Sequence, residues 1–178
     1  MIRFFFHLVL TLSVLLPAAV FADFPVRSTG VVEWVADGDT FRFKADNSAA
    51  FSILRQAAVT KDKATDRDLR VENRFHSDGS FLVRLANVDT AESKHPDASR
   101  NTKAGEEAAA YVKALIEGKN ATIECYEVGY WGRAICSLWT DEFELGTHLI
   151  SRHYSDYLTR YGRHPRLDSE YRQAMFYR

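Results

Sequence analysis

Apolar and polar residues alternate over several short stretches of this 178-residue chain, and alternation is the mark of half-buried strands. Residues 81–88 show it most clearly. Phe81, Val83 and Leu85 share one face; Leu82, Arg84, Ala86 and Val88 share the other. Arg84 is the exception, a cation in mid-strand whose ordinary explanation is a solvated or snorkelling side chain. Residues 30–44 read as a hairpin. Val31, Val32, Trp34 and Val35 precede Asp37-Gly38, and Phe41 and Phe43 follow it. Asp and Gly tolerate the positive φ of a type I′ turn, and most such turns are purely structural. Residues 122–127 and 133–139 read as a second hairpin, turning near Gly129-Tyr130-Trp131-Gly132. A helical period takes over at 102–117, where Ala108, Tyr111, Val112 and Leu115 fall on one side and Gly118 suits a helix stop. Further helices are expected at 145–153 and 168–178. Strands, helix, strands, helix, helix make an α+β class: a small antiparallel barrel with helices appended.

Residues 45–80 fit this scheme least. A short strand is expected at 51–54. Arg55, Lys61, Lys63, Arg67, Arg70 and Arg74 balance Asp46, Asp62, Asp66, Asp68, Glu72 and Asp78. With no strong apolar face, the span reads as a solvated excursion. Its end looks ordered, since Leu69, Val71 and Phe75 lead to a turn at His76-Ser77-Asp78-Gly79.

The N-terminus changes the picture of where the chain works. Arg3 precedes an apolar run over 4–20, and Val20-Phe21-Ala22 resembles a cleavage site. A signal peptide at 1–22 is expected, with a mature domain at 23–178 that is periplasmic or secreted. An uncleaved anchor is the competing reading, which Pro17 disfavours. Without Arg3 the 23 Lys and Arg become 22, against 24 Asp and Glu. That charge excludes bulk attraction to polyanions, so a polyanion needs a local patch. Cys125 and Cys136 would sit opposite each other in a hairpin centred between Tyr130 and Trp131. In an exported protein this predicts a disulfide, with two buried thiols as the alternative.

Candidate chemistry gathers at three places. Asp39 begins a strand, Asp89-Thr90-Ala91-Glu92 ends another, and Arg84 and Arg133 can present forked donors to a phosphate. Hard oxygens from Asp39, Asp89 and Glu92, with the Thr90 carbonyl, suit Ca²⁺ better than Zn²⁺. Metal, arginines and a carboxylate near water are the parts that phosphodiester hydrolysis needs. The C-terminal stretch is basic: Arg152, Arg160, Arg163, Arg166, Arg172 and Arg178 outnumber Asp156, Asp168 and Glu170. It also holds Tyr154, Tyr157, Tyr161, Tyr171 and Tyr177. Basic residues among aromatics can track a nucleic-acid strand. We expect the final helix to be structural, through Tyr171, Ala174 and Met175, and the loop carrying Tyr157 and Tyr161 to touch substrate.

From about Gly30 to Met175 the chain resembles the staphylococcal nuclease (thermonuclease) family. The resemblance is carried by Asp37-Gly38-Asp39-Thr40, by Arg84-Leu85-x-x-Val88-Asp89-Thr90-x-Glu92 with Lys94-His95-Pro96, and by Gly132-Arg133 after an aromatic. It implies an OB-type five-stranded barrel with three helices and a Ca²⁺-dependent nuclease acting on DNA and RNA; a monomer is expected. It implies that Asp39 and Asp89 bind Ca²⁺ by side chain and Thr90 by its carbonyl, that Glu92 is the general base, and that Arg84 and Arg133 clamp phosphate. Tyr130 and Trp131 fall where the family has residues near the substrate; Trp131 stacks on a base or is simply a barrel-rim aromatic. The chain departs from the family in its long interval between Asp39 and Arg84, in Ala91 where many members have Pro, in its early C-terminal stop and in its low net charge. A non-catalytic nucleic-acid or protein binding module on the same fold is the alternative.

Overall fold

The computed structural model describes residues 23–94 and 97–177. The expected signal peptide at 1–22, and His95-Pro96 of the family-like motif, lie outside the described residues.

Five strands close into a barrel in the order β1-β2-β3-β5-β4. They are β1 (Val26–Asp37), β2 (Thr40–Ala45), β3 (Ser80–Leu85), β4 (Asn120–Val128) and β5 (Ala134–Trp139). Four seams are antiparallel as expected. The fifth, β3 with β5, is parallel, pairing Val83 with Ala134 and Leu85 with Cys136. Closure of an odd number of strands requires such a seam, because directions cannot alternate around an odd ring.

Inside, the alternating residues meet. Phe41, Phe43, Phe81, Val83, Ala134 and Leu138 are completely buried. The first hairpin differs from expectation at its turn. Asp37 pairs with Thr40, so the turn residues are Gly38-Asp39, and Gly38 does not take a positive φ. Register shifts beside Trp34 and Asp37 bend the strand and bring the turn over the barrel end. In the second hairpin Cys125 lies opposite Cys136, and the two form a disulfide. A shift between Cys125 and Glu127 follows at once.

The helix at 102–117 is α3 (Lys103–Ile116), N-capped by the Thr102 hydroxyl and stopped at Gly118, whose φ is 75°. α4 (Leu145–Ser151) and α5 (Asp168–Phe176) supply the other two expected helices. They pack through Tyr171, whose buried ring donates its hydroxyl hydrogen bond to Glu144 at 3.1 Å.

Residues 45–80 correct the sequence reading. They are neither a strand nor a solvated excursion. α1 (Ser48–Thr65) is a capped 18-residue helix, and α2 (Val71–Arg74) is a single turn after it. Ala50, Leu54 and Ala58 are buried at helical spacing. Phe51 and Phe75 pack on Phe81 of β3, with ring centroids 6.3 and 5.7 Å away. The buried stripe is largely alanine, so its apolar signal is weak and the charges on the other face obscure it. Among the described residues no helix is long and apolar enough to cross a membrane.

Candidate active site

The parallel β3–β5 seam and the β1–β2 turn bring the candidate residues to one end of the barrel. Thr40 pairs with Arg84 across β2 and β3, and Arg84 pairs with Ile135 across β3 and β5. Arg84 thus lies between the strand that follows Asp39 and the strand that follows Arg133. Its side chain is only 16% exposed and its guanidinium is held by two carboxylates. Nη1 contacts Asp39 Oδ2, and Nη2 donates to Asp89 Oδ1 at 2.6 Å. The mid-strand cation is therefore paired, not snorkelling. Burial lowers its pKa; Asp89, Glu92 and Asp37 oppose that shift, and a guanidinium stays charged in any case.

Asp39 is 6% exposed and both its oxygens accept hydrogen bonds. Oδ2 accepts from the Thr90 amide at 3.1 Å and the Thr90 hydroxyl at 3.2 Å; Oδ1 accepts from the Thr40 hydroxyl at 3.0 Å. Thr90 packs directly on Gly38, where an added Cβ would lie 2.6 Å from Thr90 Oγ1. That close approach, rather than turn dihedrals, requires glycine here. Asp37 contributes as well: its carboxylate accepts from the Gly38 amide at 2.9 Å and the Ser93 hydroxyl at 2.9 Å. The first hairpin's turn is thereby tied to both ends of the acidic loop.

Asp89 is the more open carboxylate. Its amide donates to Ser155 Oγ at 2.9 Å, and its Oδ2 lies 3.8 Å from Arg160. Asn87, at φ 58°, anchors the same loop by donating to the carbonyls of Leu158 and Gly162. Glu92 is half-buried. Its backbone carbonyl accepts from the Thr102 amide at 3.0 Å and abuts Gly105 of α3. Its negative charge stabilises the protonated forms of both Arg84 and Arg133. Arg133 completes the group, donating to Thr40 Oγ1 at 3.0 Å. Burial and the neighbouring Arg84 and Arg74 push its pKa down to about 10, with Glu92 and Asp37 opposing.

Tyr130 and Trp131, each 61% exposed, stand edge to face on the β4–β5 turn, and Tyr161 is 81% exposed beside Arg160. Tyr157 corrects the sequence reading. It is buried, donates to Asp168 Oδ1 at 2.8 Å and accepts from the His164 amide at 2.7 Å, so its ring is not a surface for substrate. Sequence reasoning missed Asp37, Thr40, Ser93, Asn87 and Ser155 as supports of the site. Only Asp37 and Thr40, within the quoted Asp-Gly-Asp-Thr string, carried any signal; the others act through contacts remote in sequence.

Among the described residues no three carboxylates, imidazoles or thiolates gather closely enough to cage a metal by themselves. Two carboxylates on one guanidinium, beside a threonine, nonetheless form a hard-oxygen donor set of the kind a Ca²⁺ ion takes. A family model described as staphylococcal nuclease homologue matches residues 82–176. The match begins within β3 and ends with α5, so Asp39 is joined to it by its contacts with Arg84 and Thr90. No curated protein matches the chain.

Proposed function

The chain belongs to the staphylococcal nuclease family, and from that premise we propose that it is an exported, Ca²⁺-dependent nuclease. Its substrates are the phosphodiester bonds of DNA and RNA, cleaved by a mature chain that begins at Asp23. The observation that carries this reading is the meeting of Arg84, Arg133 and the Glu92 charge beside Asp39 and Asp89 at one barrel end.

Asp39, Asp89 and the Thr90 carbonyl would hold the ion, which when bound polarises the phosphoryl group. Arg84 and Arg133 orient the phosphate and stabilise the charge that builds on its oxygens. Glu92 takes a proton from the attacking water. Water oxygen bonds to phosphorus, the bond to the 5′-oxygen breaks, and that oxygen leaves with a proton. The ends are a 3′-phosphate and a 5′-hydroxyl, with one water consumed. Exposed Tyr130, Trp131 and Tyr161 offer faces on which bases stack.

Heat-denatured DNA digested by the mature chain with Ca²⁺, then with a chelator, beside Glu92→Ala, tests the proposal. Degradation that needs Ca²⁺ and is lost in the variant is expected. No degradation by a folded, Ca²⁺-binding wild type would instead support a non-catalytic binding module.

A further inference from the structure

Residues 45–80, the insertion that lengthens the interval between Asp39 and Arg84, are balanced in charge along the sequence but not in space. Three of the insertion's cations, Lys61, Arg67 and Arg74, turn toward the β4–β5 turn. Lys61 Nζ donates to the Val128 carbonyl at 2.5 Å. The Arg67 guanidinium carbon lies 3.2 Å from the Tyr130 ring centroid and 5.6 Å from that of Trp131. The stem of Arg74 runs beside Gly132, where an added Cβ would lie 3.5 Å from Arg74 Cγ. Acids of the segment are occupied elsewhere: Glu72 pairs with Arg55, Asp68 with Arg70, and Asp62 accepts from the Leu69 amide.

Arg74 shares in none of this. Its Nε is buried with no hydrogen-bond partner. It is near enough to another cation, Arg133, to help push that residue's pKa down, and Arg133's own hydrogen bond goes to a neutral hydroxyl. Among the described residues no carboxylate pairs with either arginine. Two half-buried guanidiniums near enough to lower each other's affinity for a proton repel each other. An anion reaching the open ends of both guanidiniums relieves that repulsion, most effectively one with several acceptor oxygens. The adjacent exposed pair, Tyr130 and Trp131, backed by Arg67, suits an anion attached to a base.

We infer that Arg74 is a second phosphate-binding arginine, supplied by the insertion, which holds the phosphate next to the scissile one on a single-stranded polynucleotide. Arg74 and Arg67 line the surface beside the β4–β5 turn, and Tyr130 and Trp131 take the base between the two phosphates. This supplies the local patch that an acidic chain needs to hold a polyanion. The position of the scissile phosphate rests on the nuclease reading; the binding itself does not.

Binding of fluorescein-labelled 12-nucleotide oligothymidylate and oligouridylate is measured by anisotropy in chelator, over a range of salt. Arg74→Ala should weaken binding about tenfold, the scale of a charge-assisted hydrogen bond. It should also reduce the slope of log affinity against log salt by about 0.7, one phosphate fewer on a single strand. Lys63→Ala, which removes an equal charge from the exposed side of α1, is the control. Loss with the DNA strand, the RNA strand or both supports the site and identifies the sugar it accepts. Equal effects of Arg74→Ala and Lys63→Ala, or a wild type that binds neither strand, overturn it. Arg74→Met, which keeps the apolar stem, serves if the alanine variant melts early. A wild type that binds with this dependence on Arg74 but cleaves nothing refutes the nuclease reading alone. One that cleaves normally while Arg74→Ala binds as wild type refutes the Arg74 site alone.

Discussion

Gly105→Ala tests how Glu92 is held. Gly105 stands in the first turn of α3, and a Cβ there would lie 2.0 Å from the Glu92 carbonyl oxygen, 2.3 Å from its carbonyl carbon and 2.8 Å from the Ser93 nitrogen. A carbon–oxygen contact settles at about 3.3 Å, so the two segments must part by roughly 1 Å. The helix cannot yield, because Ala108, Val112 and Ile116 lock it in the core. The loop moves instead, straining the 3.0 Å bond from the Thr102 amide to the Glu92 carbonyl. A displacement of about 1 Å in a catalytic group costs on the order of 100-fold in rate. Stability changes less: overpacking costs about 1–3 kcal/mol, and alanine's helix preference returns up to about 1 kcal/mol. The assay is kcat and KM on denatured DNA with Ca²⁺, paired with urea melts and with the double variant carrying Glu92→Ala. Because the substitution acts through Glu92, it should add little to the loss in that background. A folded Gly105→Ala protein with kcat within threefold of wild type, or a fully additive double variant, would refute the argument.

Arg133→Ala should lower kcat by about 10²–10³-fold, as loss of a positioned charge donor does, with little change in the urea midpoint; near-normal turnover excludes the clamp. Arg84→Ala should lower turnover and also destabilise the chelated protein, because buried Asp39 loses its counter-charge; an unchanged melt in chelator would contradict the pairing. His164 is a separate case of stability linked to pH. Its Nδ1 accepts the amides of Arg166 and Leu167, and burial pushes its pKa down to about 4. An unfolded histidine titrates near 6.5, so between these values the unfolded chain binds more protons and stability falls as pH drops. That difference is about 3 kcal/mol by pH 4; parallel urea stabilities for wild type and His164→Gln from pH 7.5 to 4 would disprove it.

Much of this protein is legible from short-range pattern. Alternation over 81–88 and the helical period over 102–117 place β3 and α3 to within a few residues, because each element buries one face and the period records which. The cysteine pairing follows from counting across one hairpin. The Asp-Gly-Asp-Thr string and the arginine-then-acid spacing name most of the candidate site, since these residues sit at strand ends or in the loop that follows β3. What only the tertiary structure decides is what those residues touch. Arg84 reads as an anomaly until Asp39 and Asp89 arrive from two other segments. Tyr157 reads as a surface aromatic until Asp168 and His164 enclose it. Glycine at 38 and 105 is required by Thr90 and Glu92, which are distant in sequence. The insertion is hardest of all, because an alanine stripe becomes apolar contact only when Phe81 and its neighbours lie beneath it. Periodicity reports whether a face is buried; it carries no information about the partner, and here the partners make the site.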